Sequence, residues 1–87
     1  MFLFGVFTVM AGSLIDQKSV LSGKVVSKVS VGTTVQEGSE LVKVSTLAGN
    51  ATASRATTDG VVREVLVEVG EQINSGTVVA RIEPLQK

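Results

Sequence analysis

Aliphatic residues, mostly valine, recur at short intervals through residues 20–83, with polar residues and glycines between them. In the stretch GVVREVLVEVG (residues 60–70), we expect Val62, Val65 and Val67 to face inward while the charged side chains face solvent. The alternation changes phase between Val62 and Val65, which predicts a bulge or a bend. Because β-branched residues suit pleated, half-buried surfaces, the pattern indicates β-structure.

The chain contains an internal repeat. VSVGTTVQEGSELVKV (residues 29–44) aligns without a gap to VEVGEQINSGTVVARI (residues 67–82). Each copy predicts a strand, a turn bracketed by two glycines, an aliphatic residue between them that enters the core, and a returning strand. Two such units, related by a pseudo-twofold axis, would bury each other's valine faces. The matched positions are Gly32 with Gly70, Val35 with Ile73, Gly38 with Gly76, Leu41 with Val79, and Val44 with Ile82.

Composition narrows both the fold class and the function. With 87 residues, 17 of them valine and three aromatic, the chain fits one small all-β domain. A net charge of zero with scattered charges argues against nucleic-acid binding. The chain has no histidine and no cysteine, so the commonest general base and metal ligands are missing. We interpret Glu64 and Glu68 as solvated charges on one strand face, and we expect no enzyme, catalytic residue or metal.

The N-terminal segment is apolar and contains all three aromatic residues, Phe2, Phe4 and Phe7. Its apolar part is about half the roughly 20 residues that a membrane-spanning helix needs, so no spanning segment is expected. A secretory signal would begin with positive charge, which this segment lacks. We expect the segment to pack on the domain or another copy of it, or to dock on a partner protein or a membrane surface.

The polar triplet at residues 16–18 is interpreted as a break before the β region. We therefore expect a hydrophobic segment over residues 1–15 and a β domain over residues 16–87. At the other end, Glu83 and Pro84 are expected to end the last strand, because proline cannot donate a hydrogen bond to a neighbouring strand.

The two repeat units resemble the biotinyl/lipoyl attachment domain family and are biotin carboxyl carrier-like. The resemblance covers residues 20–83 and is most specific in ATTDGVVREVLVEVGEQINSGTVVARIE. It implies a flattened β-barrel or sandwich of two four-stranded antiparallel sheets with an internal pseudo-twofold, a barrel-sandwich hybrid. In that family the modified lysine lies at the tip of the hairpin that joins the halves, within Glu-Ala-Met-Lys-Met or Asp-Lys-Ala.

This chain has no lysine at the position that the resemblance implies. Counted from Gly38 the position falls on Ala48, and counted back from Gly60 it falls on Gly49. Attachment of biotin or lipoate requires a primary amine, so no cofactor is expected. Lys43 is the nearest amine and is interpreted as an exposed strand lysine, with biotin or lipoate attachment there as the alternative.

The segment TLAGNATAS, which spans the expected tip, is interpreted as either a plain hairpin turn or a recognition loop. The dipeptide Gly49-Asn50 suits a turn with positive φ. An exposed Leu47 would favour recognition. Leu47 and Asn50 therefore join Phe2, Phe4 and Phe7 as candidate interaction residues.

The sequence predicts a noncatalytic biotinyl/lipoyl-like domain that acts as a protein-interaction or assembly module, in the setting of a biotin-dependent carboxylase or decarboxylase complex. One alternative is a true biotin or lipoyl carrier modified at a non-standard lysine. Another is a relative of the membrane fusion proteins of efflux pumps, although the segment between Val44 and Gly60 is too short for the helical hairpin that those proteins insert there. The expected location is the cytoplasm, with association to a membrane complex left open.

Overall fold

The computed structural model describes residues 14–85, which form two four-stranded antiparallel sheets and no helix. Strand order is β1-β8-β6-β3 in one sheet and β5-β4-β2-β7 in the other. The all-β prediction of two four-stranded sheets is confirmed. The strands are β1 (Ile15–Lys18), β2 (Gly23–Lys28), β3 (Thr34–Val35), β4 (Glu40–Thr46), β5 (Gly49–Arg55), β6 (Gly60–Val65), β7 (Gln72–Ile73) and β8 (Val78–Pro84).

The sequence repeat is also a structural repeat. The alignment of the two copies carries β3 onto β7 and β4 onto β8. The same backbone hydrogen bonds recur: Gly38 N donates to Ala56 O at 2.8 Å, and Gly76 N donates to Ser19 O at 2.7 Å. Each copy places β2 or β6 and its returning strand in one sheet and its two-residue strand in the other. The two halves therefore interlock, as the expected pseudo-twofold requires.

The core lies between the two sheets and is built from small aliphatic side chains. Val35 and Ile73, each on a two-residue strand, are both buried, which confirms that the residue between the paired glycines enters the core. Burial of each such side chain contributes roughly 1.5–3 kcal/mol. The buried hydrophobic residues are Val25, Val35, Leu41, Val42, Val44, Ala53, Ala56, Val62, Val67, Ile73, Val79, Ala80 and Ile82.

The expected irregularity in β6 is present. Its register with β8 shifts between Val62 and Glu64. Val62 and Val67 are buried, and half-buried Val65 packs against the core. The shift returns Val65 toward the core after two residues that point outward, as the phase change in the sequence indicated.

Three local predictions were wrong. The triplet at residues 16–18 is not a break but most of β1, which pairs with β8, and its Gln17 is buried. Glu64 and Glu68 do not share a strand face, because β6 ends at Val65. The paired glycines do not bracket a single turn. Each occupies its own turn with positive φ, and a two-residue strand lies between the turns.

Candidate functional site

The hairpin of β4 and β5 joins the two halves and ends in a two-residue turn. Leu47 and Ala48 form the turn, and Thr46 pairs with Gly49 at its base. Gly49 has a φ of 115°, which a residue with a side chain rarely adopts. The dipeptide Gly49-Asn50 was interpreted as suited to a turn with positive φ; Gly49 does have positive φ, but the two turn residues precede it. Asn50 lies in β5 opposite Ser45, and only the glycine of that dipeptide has positive φ.

The Thr46 side chain fixes the shape of the tip. Its hydroxyl donates a hydrogen bond to the Gly49 carbonyl at 2.7 Å and accepts one from the Ala48 amide at 3.2 Å. Threonine hydroxyls commonly stabilise turns by such local bonds to the backbone. These two bonds tie the turn to both strands, so the tip has a defined shape before it meets any partner.

Leu47 is the most exposed large hydrophobic residue among residues 14–85. Its accessible surface is 110% of the reference value for leucine, so it contacts almost nothing in its own chain. A single exposed leucine is common on protein surfaces and needs no special explanation. Here, however, the leucine stands at the end of a hairpin whose turn is fixed by Thr46. Leu47 is thus exposed at the tip, which is the condition under which the sequence favours a recognition loop.

The positions at which the attachment lysine was expected lie at this same turn. Ala48 is the second residue of the turn, and Gly49 begins β5. Both are exposed, and neither has an amine. The sequence contains no lysine between Lys43 and Lys87, so no lysine stands at the tip.

Lys43 lies inside β4, opposite Thr52 and away from the turn. Its Nζ is 3.3 Å from Glu40 Oε1, and its side chain is 43% exposed. The Thr52 hydroxyl donates to Glu40 Oε2 at 2.8 Å. This hydrogen bond, followed by the one from Lys43, lowers the pKa of the Glu40 carboxyl below its usual value. Lys43 is thus a half-exposed strand lysine held by a neighbouring carboxylate.

Glu64 and Glu68 do not form a paired carboxylate site. Glu64 accepts a hydrogen bond from Arg81 at 2.8 Å, and Glu68 pairs with Lys28 at 3.2 Å, so each carboxylate has its own cation. Residues 14–85 hold no cluster of side chains suited to a metal ion. Within the same range, no helix has the length and apolar character needed to cross a membrane. Phe2, Phe4 and Phe7 lie outside the described residues.

Residues 8–82, most of the chain, match the sequence model of one protein family, which is described as biotin-requiring enzyme. The chain belongs to this family. The resemblance that the repeat carries is thereby confirmed at the level of the family. No curated protein matches the sequence.

Two carboxylases of known structure contain a part with the same fold as this chain. The Kluyveromyces lactis urea carboxylase superposes with a TM-score of 0.72 at 22% identity, over 82% of this chain and 6% of that one. A single-chain, multi-domain long-chain acyl-CoA carboxylase superposes with a TM-score of 0.74 at 17% identity, over 93% of this chain and 9% of that one. The likeness at this identity is one of fold. The chain corresponds to less than a tenth of either enzyme.

Sequence reasoning missed two features of this family member. One is the Thr46 side chain at the tip, although a threonine directly before a turn is a usable signal. The other is buried Gln17, which was assigned to a polar break. Thr46 bonds to residues two and three positions away, whereas Gln17 bonds to Thr57, which only the folded chain brings into reach.

Proposed function

We propose that this chain is a noncatalytic member of the biotin-requiring enzyme family that carries no covalent cofactor and serves as a protein-interaction or assembly module. The setting that fits it is a biotin-dependent carboxylase or decarboxylase complex, with the cytoplasm as its location. One observation carries the proposal. The turn where the family places its lysine consists of Leu47 and Ala48, and it presents an apolar side chain instead of an amine.

The chemistry of attachment supports the first half of the proposal. Biotin and lipoate are joined to their carriers through an amide with a lysine amine, and neither alanine nor glycine supplies one. Lys43 is a poor substitute, because it is paired across β4–β5 with Thr52 and its ammonium group contacts Glu40. A ligase that recognises a lysine projecting from a turn would meet Leu47 and Ala48 there.

The geometry of the tip supports the second half. Because hydrogen bonds from Thr46 fix the backbone of the turn, binding of Leu47 in a complementary pocket costs little backbone entropy, which favours association. The two-residue connection between β4 and β5 also differs from the long helical hairpin of efflux adaptors. The efflux alternative therefore has no support within residues 14–85.

Two assays test the proposed interaction role: sedimentation, which reports self-association, and co-purification with a carboxylase subunit. Both compare four proteins: the full chain, the chain lacking residues 1–12, Leu47→Ser and the control Val31→Ser. Val31 is an exposed valine in the turn of the first repeat, away from the tip. We expect either the truncation or Leu47→Ser to reduce self-association, or to abolish co-purification with a carboxylase subunit, while Val31→Ser does neither. If all four proteins behave alike in both assays, the interaction role fails.

A further inference from the structure

A groove runs along one flank of the sandwich, between the edge strand of each sheet. β1 ends one sheet and β5 ends the other, and the Val20 amide donates to the Ala53 carbonyl at 2.8 Å to join them. The groove has a volume of about 260 Å³. It is lined by Lys18, Val20, Thr52, Ala53, Ser54, Arg55 and Thr57.

The pseudo-twofold relates the two walls of this groove. Ser19 N donates to Thr77 O and Ala56 N donates to Ser39 O, both at 2.8 Å, so Ser19 and Ala56 are equivalent in the two halves. Counting from this pair, Lys18 is equivalent to Arg55, Gln17 to Ser54, and Val20 to Thr57. The groove therefore places two cationic side chains from equivalent positions on opposite walls.

The two halves differ at the positions before those cations. Gln17 is 1% exposed and bonds across to Thr57: its Oε1 accepts from the Thr57 amide at 3.0 Å, and its Nε2 donates to Thr57 Oγ1 at 3.1 Å. Ser54 is 3% exposed, and its Oγ has no hydrogen-bond partner among the described residues. A serine is too short to make the reciprocal bond, so this side of the flank keeps an unfilled groove and an unpaired buried hydroxyl.

Both charged residues that line the groove, Lys18 and Arg55, are cationic. Lys18 forms no ion pair with any residue in the range 14–85. Arg55 donates from Nη1 to the Gly38 carbonyl at 3.0 Å, and its Nη2 is 3.7 Å from Glu40. No carboxylate is among the lining residues. Two cations and a buried hydroxyl without a partner are complementary to an anionic group.

The groove continues into the free edge of β5. In an antiparallel pair, every second residue points its amide and carbonyl away from its partner strand. No described strand lies on the outer side of β5, where the Val20 amide occupies only the Ala53 carbonyl. Residues 49–54 (GNATAS) contain no charged residue and no proline, which are the usual devices that keep an edge strand from pairing. An extended segment can therefore add to β5 and lead into the groove.

We propose that this flank binds an extended acidic segment of a protein partner. The segment pairs with the outer edge of β5, and one of its carboxylates enters the groove between Lys18 and Arg55. The juxtaposition of a free strand edge with two cations and the unpaired Ser54 hydroxyl carries the proposal. It does not depend on the tip, so it stands or falls separately from the absence of a cofactor.

The test is an NMR titration of the ¹⁵N-labelled full chain with hexaglutamate as the probe and hexaglutamine as its uncharged match. We expect saturable amide shifts confined to residues 18–20 and 49–57 with hexaglutamate only. Lys18→Gln and Arg55→Gln should each weaken binding about tenfold, as expected for loss of a charge-assisted hydrogen bond. Ser54→Ala should weaken it by a smaller factor, because a neutral hydroxyl contributes less. The control Lys24→Gln, at an exposed position of β2, should leave binding unchanged.

Any of four results would overturn the proposal. Absence of saturable shifts at the groove would rule out the segment. Shifts spread equally over Lys24 and Lys28 would show unspecific charge attraction, and equal losses in Lys18→Gln and Lys24→Gln would show the same. Acetate or inorganic phosphate giving the full pattern at the concentrations where hexaglutamate acts would make this a site for small free anions.

Discussion

Gly32 and Gly70 occupy the same turn in the two halves of the sandwich, with φ values of 95° and 96°. The Gly32 amide donates to Val62 O at 2.7 Å, and the Gly70 amide donates to Val25 O at 2.8 Å. Each glycine thus joins its own turn to the strand that opens the other repeat. This reciprocal bond is one of the contacts that join the two halves, beside their shared core.

Gly70→Val is expected to destabilise the protein by about 1–3 kcal/mol, because a β-branched residue is strained at positive φ. A Cβ there would meet no atom within 4 Å, so the effect isolates backbone strain from steric overlap. Urea denaturation gives the free energy of unfolding. Gly70→Asn, which tolerates positive φ, is the matched control and should cost clearly less. A valine variant as stable as the asparagine variant would disprove the turn assignment.

Gln17→Ala should lower the free energy of unfolding by about 1–3 kcal/mol, since it removes a buried side chain and both of its hydrogen bonds to Thr57. Gln36→Ala is the control, because Gln36 is exposed and its hydrogen bond to Ser39 is made by the backbone amide rather than the side chain. Both variants are compared with the parent protein by urea denaturation. Equal stability of the two variants would show that the bridge from β1 to Thr57 contributes nothing.

Thr52→Val should raise the pKa of Glu40 toward its ordinary value, because the Thr52 hydroxyl is the largest cause of its lowering. A carboxyl whose folded pKa is lowered stabilises the fold above the unfolded pKa, and that contribution is lost as pH falls through the folded pKa. Thr52→Val should therefore lose the part of this stabilisation that the Thr52 hydrogen bond supplies, at every pH above the unfolded pKa of Glu40. A ¹³C NMR titration of the Glu40 carboxyl measures the change, with Thr58→Val as control. An unchanged Glu40 titration would contradict the assignment.

Ala48→Lys should convert the tip into a substrate for a biotin or lipoate ligase, because the new amine would stand in the turn at the place that the family resemblance indicates. Intact mass after co-expression with each ligase detects the adduct. The double variant Lys24→Ala with Ala48→Lys is the control and should be modified to the same extent, because Lys24 lies on β2 and is not part of the hairpin. If Ala48→Lys stays unmodified while Gly49→Lys is modified, the register is shifted by one residue. If neither is modified, the tip departs from a carrier tip in more than its lysine.

The repeat made most of the fold predictable, because its glycines and aliphatic residues fall at the same offsets in both copies. β1 was missed for a physical reason. Three of its four residues are polar, so no hydrophobic alternation marks it, and its partner β8 comes last among the strands along the chain. The groove could not be predicted either. The groove arises because Ser54 occupies the position that Gln17 occupies in the other half and is too short to make the same bond. The hydrogen bonds of the folded chain are what identify these two positions as equivalent.

The position of the turn at the tip of the β4–β5 hairpin also differs from what the sequence indicated. Gly49-Asn50 has the composition of a hairpin turn, yet Leu47 and Ala48 take that place. Pairing of Thr46 with Gly49 sets the register, and the Thr46 hydroxyl stabilises it on both sides. The residue types alone do not show which residues pair across the hairpin, so the dipeptide indicated a turn that is two residues too far along the chain.

The most direct test of the central claim is the intact mass of the unaltered full chain, expressed together with a biotin ligase and a lipoate ligase. A biotin carrier domain and a lipoyl domain that each have their attachment lysine, expressed in the same cells, show that both ligases are active. We predict the unmodified mass for the unaltered chain. A biotinyl or lipoyl adduct on it would contradict the account and make the protein a true carrier, and its loss in Lys43→Arg would identify Lys43 as the attachment site.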